Sequence, residues 1–369
     1  AWRPPAGAQP QGAQTAFGQL VAALELSAID PARLDRRLPS QAVAGRLDAE
    51  ADALRQALTL ALGVGAARIE ADAELLAGEQ AGAPRSFNLS GQLRDVDPRA
   101  LLATAPPARL NLDLEASGEL PAAGLPQAAR LDFRIPPSRF DKLPLEGRGR
   151  LVLAGERLPE VDLALDLAGN RLRSSGAFGG AGDRLALLLD APALRALGYG
   201  LGGQARLEGT VSGTMAAPAG EFELFGEALR LPGELRLAGI NGAGRLDAGQ
   251  DGRFDLSLGL SGLGRTGTDA DGVAHPDLID NARLGAEGTR AKHRVELSAT
   301  GLEDDRVRMV LEGGLRERVA AGGESGFDWV GRLAALETGG RVAARLQAPA
   351  ELELSPSRVS LGAAEIEAG

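Results

Sequence analysis

The sequence predicts an all-β protein: a long, mostly antiparallel, curled sheet, forming an open trough (a β-taco) with an apolar interior and very few short helices. Three observations predict it. In the stretch Ala108–Leu120, Leu110, Leu112, Leu114 and Ala116 alternate with Asn111, Asp113, Glu115 and Ser117, and Gly118 follows as a turn signal. A period of two is that of strand side chains, not of a helix. The same alternation recurs down the chain as roughly twenty segments spaced about 8–15 residues apart, the mark of an all-β architecture. The 51 glycines and 21 prolines supply the reversals between them, Gly by admitting positive φ and Pro by fixing it.

Taken in order, residues 1–14 are rich in Pro, Gly and Gln and predict a flexible start. Over 16–24, Phe17, Leu20, Val21 and Leu24 fall at helical spacing, but 20–29 also alternates, and the strand is favoured because its exit matches a later one. That exit is an internal repeat. Ile29-Asp30-Pro31-Ala32-Arg33-Leu34 precedes Leu38-Pro39 and a strand over 43–53; Val96-Asp97-Pro98-Arg99-Ala100-Leu101 precedes Pro106-Pro107 and the strand at Leu110. Asp190-Ala191-Pro192-Ala193-Leu194, ahead of a strand over 205–211, is a weaker copy. Asp before Pro caps a short helical turn and Pro suits its first position. Further strands are expected over 58–64, 68–76, 87–93, 131–135 (ending at Pro136-Pro137), 145–153, 161–167, 220–224, 234–237, 242–246, 254–260, 284–288, 293–299, 307–311, 329–333, 342–346, 352–354 and 359–361. A short helix over 194–197 and an irregular loop over 262–280 complete the reading. No linker divides the chain, which reads as one continuous elongated segment, 1–369, of a longer protein.

Composition excludes several functions. Hydrophobic residues are 44% of the chain but aromatics only 3%, so the apolar surface is Leu, Val and Ala. The net charge of −10 argues against nucleic acid and against electrostatic docking on anionic lipid heads. With no Cys there is no disulfide, thiol nucleophile or thiolate metal site. The two histidines, His275 and His293, fall in different elements, too little for a metal centre or a Ser-His-Asp triad. Gly262-Leu263-Gly264-Arg265-Thr266-Gly267 fits the dinucleotide pattern, but no helix follows it. Asp269-x-Asp271-Gly272 hints at a calcium loop, yet Val273 stands where another oxygen ligand is needed. Pairs such as Asp162/Asp166 lie where alternation requires a wet residue, not where a glycosidase needs acids. No catalytic residue, cofactor site or metal site is expected, and the chain is not read as an enzyme.

A sheet with one apolar face and almost no helices must have that face covered. It packs on itself, coils into a filled solenoid, or curls into a trough filled by another molecule. Few rings and many Leu, Val and Ala favour the trough. Its expected lining is Leu110, Leu112, Leu114, Val161, Leu163, Leu165, Leu207, Val211, Phe254, Leu256, Leu258, Val295, Leu297, Leu352 and Leu354. Acyl chains suit such a lining. At about 0.8 kcal/mol per CH₂, a sixteen-carbon chain brings on the order of 12 kcal/mol of apolar transfer. Twenty strands about 4.8 Å apart would give roughly 95 Å of track.

At the C-terminal end, Asp328-Trp329-Val330-Gly331-Arg332-Leu333 is followed by Ala348-Pro349-Ala350-Glu351-Leu352 and by Leu354-Ser355-Pro356-Ser357-Arg358-Val359-Ser360-Leu361. This resembles the W-x-G-x-L … P-A-x-L-x-L-S … V-x-L pattern of the TamB family, within the AsmA-like and bridge-like lipid-transfer proteins. Gly288-Thr289, His293, Leu297 and Gly301 resemble the segment just before it; the specific part of the resemblance is 285–369. The resemblance implies a periplasmic protein of a Gram-negative bacterium, anchored in the inner membrane by a part outside this chain, which would be a middle segment. It implies phospholipid transport between inner and outer membranes, or assembly of outer-membrane and autotransporter proteins with a TamA-like barrel partner. A structural β-solenoid is the remaining alternative.

Overall fold

The computed structural model describes residues 2–3, 18–33, 40–78, 83–100, 104–121, 124, 126–249, 251–268, 275–301, 305–319 and 325–369. The chain divides into two compact units, Ala1–Gly179 and Gly180–Gly369. Strands of the first are β1 (Trp2–Arg3), β2 (Gln19–Ile29), β3 (Val43–Ala51), β4 (Arg55–Val64), β5 (Ala67–Leu76), β6 (Arg85–Val96), β7 (Ala108–Leu120), β8 (Ala128–Phe140), β9 (Leu143–Ala154), β10 (Arg157–Leu167) and β11 (Asn170–Phe178). Each pairs antiparallel with its neighbours in sequence, a plain meander.

Those of the second are β12 (Arg184–Ala191), β13 (Gly202–Gly213), β14 (Pro218–Leu231), β15 (Leu235–Leu246), β16 (Arg253–Arg265), β17 (Asp277–Thr289), β18 (His293–Gly301), β19 (Arg306–Val319), β20 (Ser325–Gly339), β21 (Ala344–Leu346), β22 (Ala350–Ser355), β23 (Arg358–Leu361) and β24 (Ile366–Ala368). The meander runs from β12 to β20. It then branches: β20 pairs with both β21 and β22, β21 with β24, and β22 with β23. No pairing among the described residues joins the last strand of either unit to its first, so neither sheet closes. The all-β antiparallel class read from the alternation is the class observed.

Register converts alternation into two faces. One row of directly opposed residues across the first unit reads Leu24, Leu47, Leu60, Ala71, Gly91, Leu114, Phe133, Gly149, Leu163, Ser174. The adjacent row reads Glu25, Arg46, Ala61, Glu70, Gln92, Asp113, Arg134, Arg148, Ala164, Arg173. The second unit repeats the contrast: Leu187, Gly209, Phe222, Gly244, Leu256, Ala286, Val295, Leu311, Leu333, Ala350 beside Ala186, Thr210, Glu221, Arg245, Asp255, Glu287, Arg294, Glu312, Arg332, Glu351. Because the side-chain period is two, one slipped residue would turn every leucine outward, so the alternation itself specifies register.

Full burial is scarce. Most apolar side chains are half-buried, as a single layer allows, and Val310 alone among the described residues is large and fully enclosed. A small core in the first unit, Val64, Ala67 and Val96 packed by Val43, Ile69 and Leu93, gathers where β4 and β6 end and β5 begins. There Asp95 takes φ +53° and the β6 register slips between Leu93 and Val96, a bulge that bends the strand tip.

Several expectations need correction. The strand favoured over 20–29 is observed as Gln19–Ile29, its alternation running to Leu26 before the register slips ahead of Ile29, and the rival helix over 16–24 is absent from Gln19 onward; Ala16 and Phe17 lie outside the described residues. Within the flexible start, Trp2 and Arg3 pair with Leu20 and Gln19, while 4–14 lie outside the described residues. Gly118 is not a turn: it pairs with Phe87 and Ala129 inside β7. The irregular stretch 262–280 is strand at both ends, to Arg265 and from Asp277, with 269–274, including the calcium hint, outside the described residues. The strands expected over 234–237 and 242–246 are one, β15. β11 and β12 were not anticipated as strands.

β8 does not end at Pro136-Pro137. Its register slips between Ile135 and Ser138, and side chains replace what the prolines cannot donate. Ser138 Oγ donates to the Pro136 carbonyl at 2.7 Å and accepts from the Asn111 N–H at 2.9 Å, while Asn111 Nδ2 donates to the Pro137 carbonyl at 2.7 Å.

The Asp-Pro turns are 3₁₀ turns, Pro31–Arg33 and Pro98–Ala100. Asp30 Oδ1 accepts from the Ala32 N–H, and Asp97 Oδ1 from the Arg99 N–H, both at 3.1 Å. The weaker copy does form the short helix Leu194–Leu197, but Ala193 caps it without a side-chain bond. Leu34, Leu38, Pro39 and Leu101 of these repeats lie outside the described residues.

Candidate functional site

The register places the fifteen expected lining residues consistently. In the first unit Leu110, Leu112 and Leu114 of β7 share the apolar face with Val161, Leu163 and Leu165 of β10. In the second, Leu207, Val211, Phe254, Leu256, Leu258, Val295, Leu297, Leu352 and Leu354 share one face. All are half-buried except Val161, which is buried, and Val211, which is exposed. Between the strand ends, the described residues put no charged side chain on this face in either unit. Its ionisable groups sit at ends: Arg85 opens β6, Arg265 closes β16 opposite Leu235, His293 opens β18, and Glu317 lies near the end of β19 opposite Phe327.

Glycine levels the face. Phe133 lies against the backbone of its cross-strand partner Gly149, and Phe222 against Gly244, so closely that a Cβ at either glycine would collide with the ring. Leu165 covers Gly147 in the same way, 2.5 Å from where a Cβ would stand, and Phe87 covers Gly118 at 2.9 Å. Large side chains thus lie down over residues that have none, which packs a ring against a neighbouring strand and keeps relief low.

The opposite face is a charge ladder. Asp132 takes Arg130 at 2.7 Å and Arg150 at 2.5 Å; Glu312 takes Arg294 at 2.7 Å and Arg332 at 2.6 Å. Hydrogen bonds from Arg130 and then Arg150 hold the Asp132 carboxyl below the usual carboxylate range, and Arg332 does the same for Glu312. Such solvent-facing pairs are screened by water and add little to stability. Among the described residues, open clefts of about 470 and 850 Å³ in the first unit and 690 and 370 Å³ in the second are lined mainly by polar and charged residues of this face. Members of the apolar rows, such as Leu114, Phe133 and Gly149 in one cleft and Leu58 and Leu89 in another, take part in the linings beside the charged residues. Asp162 and Asp166 stand on the polar face as alternation requires, Asp166 paired with Arg171 at 3.3 Å.

One constellation was not legible as such. His293, read as an ordinary strand residue, accepts at Nε2 from the Trp329 indole N–H at 2.8 Å, and its Nδ1 lies 2.9 Å from the Thr289 carbonyl. An indole N–H only donates, so this network assigns the proton of a neutral ring to Nδ1. The His293 ring centroid is 5.5 Å from that of Phe254 and 6.3 Å from that of Trp329. Gly313 and Gly331 give Trp329 room: Cβ atoms there would stand 2.6 and 2.7 Å from its ring. The signal available was the pairing of His and Trp in the quoted motifs, which spacing alone does not convert into contact. His275 is remote from this role; its carbonyl accepts from Arg236 at 2.7 Å. No group of three His, Cys, Asp or Glu among the described residues is placed to hold a metal ion, and no helix there is long and apolar enough to cross a membrane.

A family model described as TamB, N-terminal domain, matches residues 82–352. No curated protein and no solved structure matches the chain. The matched stretch begins just before β6 and ends within β22, so it takes in the levelled leucine rows of both units as well as His293 and Trp329. The chain therefore belongs to the TamB family.

Proposed function

We propose that this chain is a segment of a periplasmic conduit that shields the acyl chains of phospholipids moving between inner and outer membranes, without catalysis. The observation that carries the reading is the apolar face: row after row of Leu, Val, Ala and Gly in strict register, with no charge between the strand ends of the described residues. Exposed to water such a face is costly, and acyl chains cover it without needing directional partners. Low relief suits passage, because a deep notch would hold one lipid and stop it. In this reading the fifteen lining residues act collectively.

The test is site-specific photo-crosslinking in the intact protein. Probes at Leu114 and Leu258, on the apolar face, are expected to yield phospholipid adducts; probes at Asp113 and Ser257, on the polar face, are not. Leu112→Asp and Leu256→Asp should each abolish adduct formation at the neighbouring probe. Adducts of equal yield on the polar face would overturn the conduit.

A second reading, assembly of outer-membrane or autotransporter proteins with a TamA-like barrel partner, is favoured by one edge. From Ala22 to Ile29 the outer side of β2 has no strand partner among the described residues, and Leu24 is half exposed. Such an edge can template a substrate strand. This reading predicts crosslinks from the β2 edge to nascent barrel proteins.

A further inference from the structure

The apolar face of the second unit ends, at the start of β18, in an unusual corner. The 289–292 turn joining β17 and β18 reads Thr289-Arg290-Ala291-Lys292 and is pinned at several points. Thr289 and Lys292 exchange backbone hydrogen bonds at 2.8 and 3.2 Å, the Leu315 N–H donates to the Arg290 carbonyl at 2.8 Å, and His293 Nδ1 meets the Thr289 carbonyl. The Arg290 guanidinium lies over the Phe327 ring, 4.7 Å from its centroid. Beside it Phe327 is 43% exposed and Leu315 39%, with Trp329 and Phe254 just inward on the same face.

Most neighbouring cations on the polar face of β18–β20 are satisfied, Arg294 and Arg332 by Glu312, Arg308 by Glu296 and Arg318 by Asp328, while Arg306 and Arg316 stand on that polar face with no carboxylate within ion-pair distance among the described residues. Arg290 and Lys292 are exposed and have no carboxylate within ion-pair distance among the described residues. Glu317, opposite Phe327 in register, reaches neither. Two unspent cations are therefore held at the boundary where leucines and rings give way to water.

We infer that this corner binds the phosphate of a glycerophospholipid whose acyl chains lie on the adjoining apolar face. The inference rests on the conduit reading above and assigns it a headgroup contact. A guanidinium held over a ring through its carbon still has N–H groups to offer, and a guanidinium edge matches phosphate oxygens in bidentate fashion; Lys292 adds a point charge at the next corner of the turn. Rings with a cation beside them are the chemistry of an apolar–water boundary.

Trp329 is a built-in reporter. In a Trp2→Phe background its emission is titrated with phosphatidylglycerol carrying brominated acyl chains, with a diacylglycerol carrying the same brominated chains, and with inorganic phosphate as competitor. Both lipids are expected to quench. Arg290→Gln with Lys292→Gln should weaken the phosphatidylglycerol midpoint about tenfold, the scale of lost charge-assisted bonds, and leave the diacylglycerol midpoint unchanged. Glu317→Gln should tighten phosphatidylglycerol alone. Equal weakening of both lipids, no weakening of either, or displacement of phosphatidylglycerol by inorganic phosphate at comparable concentration would each overturn the headgroup site. Absence of quenching by both lipids in the parent protein would instead overturn the conduit reading, and this site with it.

Discussion

The two units carry the same two-faced register but interrupt it differently. In the first, the apolar face is Leu, Val, Ala and Gly with Phe87 and Phe133 laid over glycines, and its buried core is the small cluster of Val64, Ala67 and Val96 at one row of strand ends. In the second, Trp329, His293 and Phe254 form a hydrogen-bonded, ring-packed node inside the face itself. A distributed sheet spreads its stabilisation over many cross-strand pairs, each worth only about 0.2–1 kcal/mol. A node concentrates it. Sensitivity to mutation should therefore be diffuse in the first unit and focal in the second.

The sharpest way to break this comparison is Trp329→Ala. It removes a side chain that is 9% exposed and leaves His293 Nε2 without its donor. The expected cost is about 3 kcal/mol, read as lost amide-exchange protection across β18–β20 with β4–β9 unaffected. Equal loss in both units would end the distinction. Next is Gly149→Ala, whose Cβ would collide with Phe133; overpacking of this kind costs about 2 kcal/mol and should appear as a lowered unfolding midpoint of the first unit. Gly91→Ala, where the nearest atom is 3.7 Å away, should be close to neutral and serves as its control. Similar effects of the two substitutions would show that levelling by glycine is not what matters.

The smallest effect is on the polar face. Asp132 is held below the usual carboxylate range by Arg130 and Arg150. A carboxylate depressed in the folded state contributes stability that is complete above its ordinary unfolded value and is lost as pH falls through the lower folded one. Acid titration of the first unit should therefore show a modest loss on that limb, and Asp132→Asn should remove it. An unchanged acid limb in the variant would mean the ladder sets register without adding stability.

Much of this fold was legible because one rule generates it. The period of two places Leu110, Leu112 and Leu114 on one face, and the register carries that choice across to Leu163 and Leu165. What was not legible depends on contacts between strands. Pro136-Pro137 reads as a strand end, and only Asn111 and Ser138, on two different strands, reveal that pairing resumes beyond it. β11 contains Ser174, Ser175 and Gly176 and alternates poorly, while β12 is a near-continuous Leu run; neither has the wet-dry rhythm that marked the others. That the fifteen expected lining residues share one face within each unit followed from rhythm alone. The His293–Trp329 bond did not, since 36 residues of separation carry no trace of adjacency.

The meander has a further consequence, for length. Each hairpin of β3–β10 brings its own share of leucines, its own share of charges and its own backbone partners, and its contacts are with the hairpins on either side. No distant segment must arrive to complete it. Two strands inserted or deleted in register would leave every remaining neighbour satisfied, changing reach by about 9–10 Å while the cross-section stays as it was. Span in such a protein is a quantity that evolution can adjust in steps, hairpin by hairpin, much as a ladder is extended by rungs.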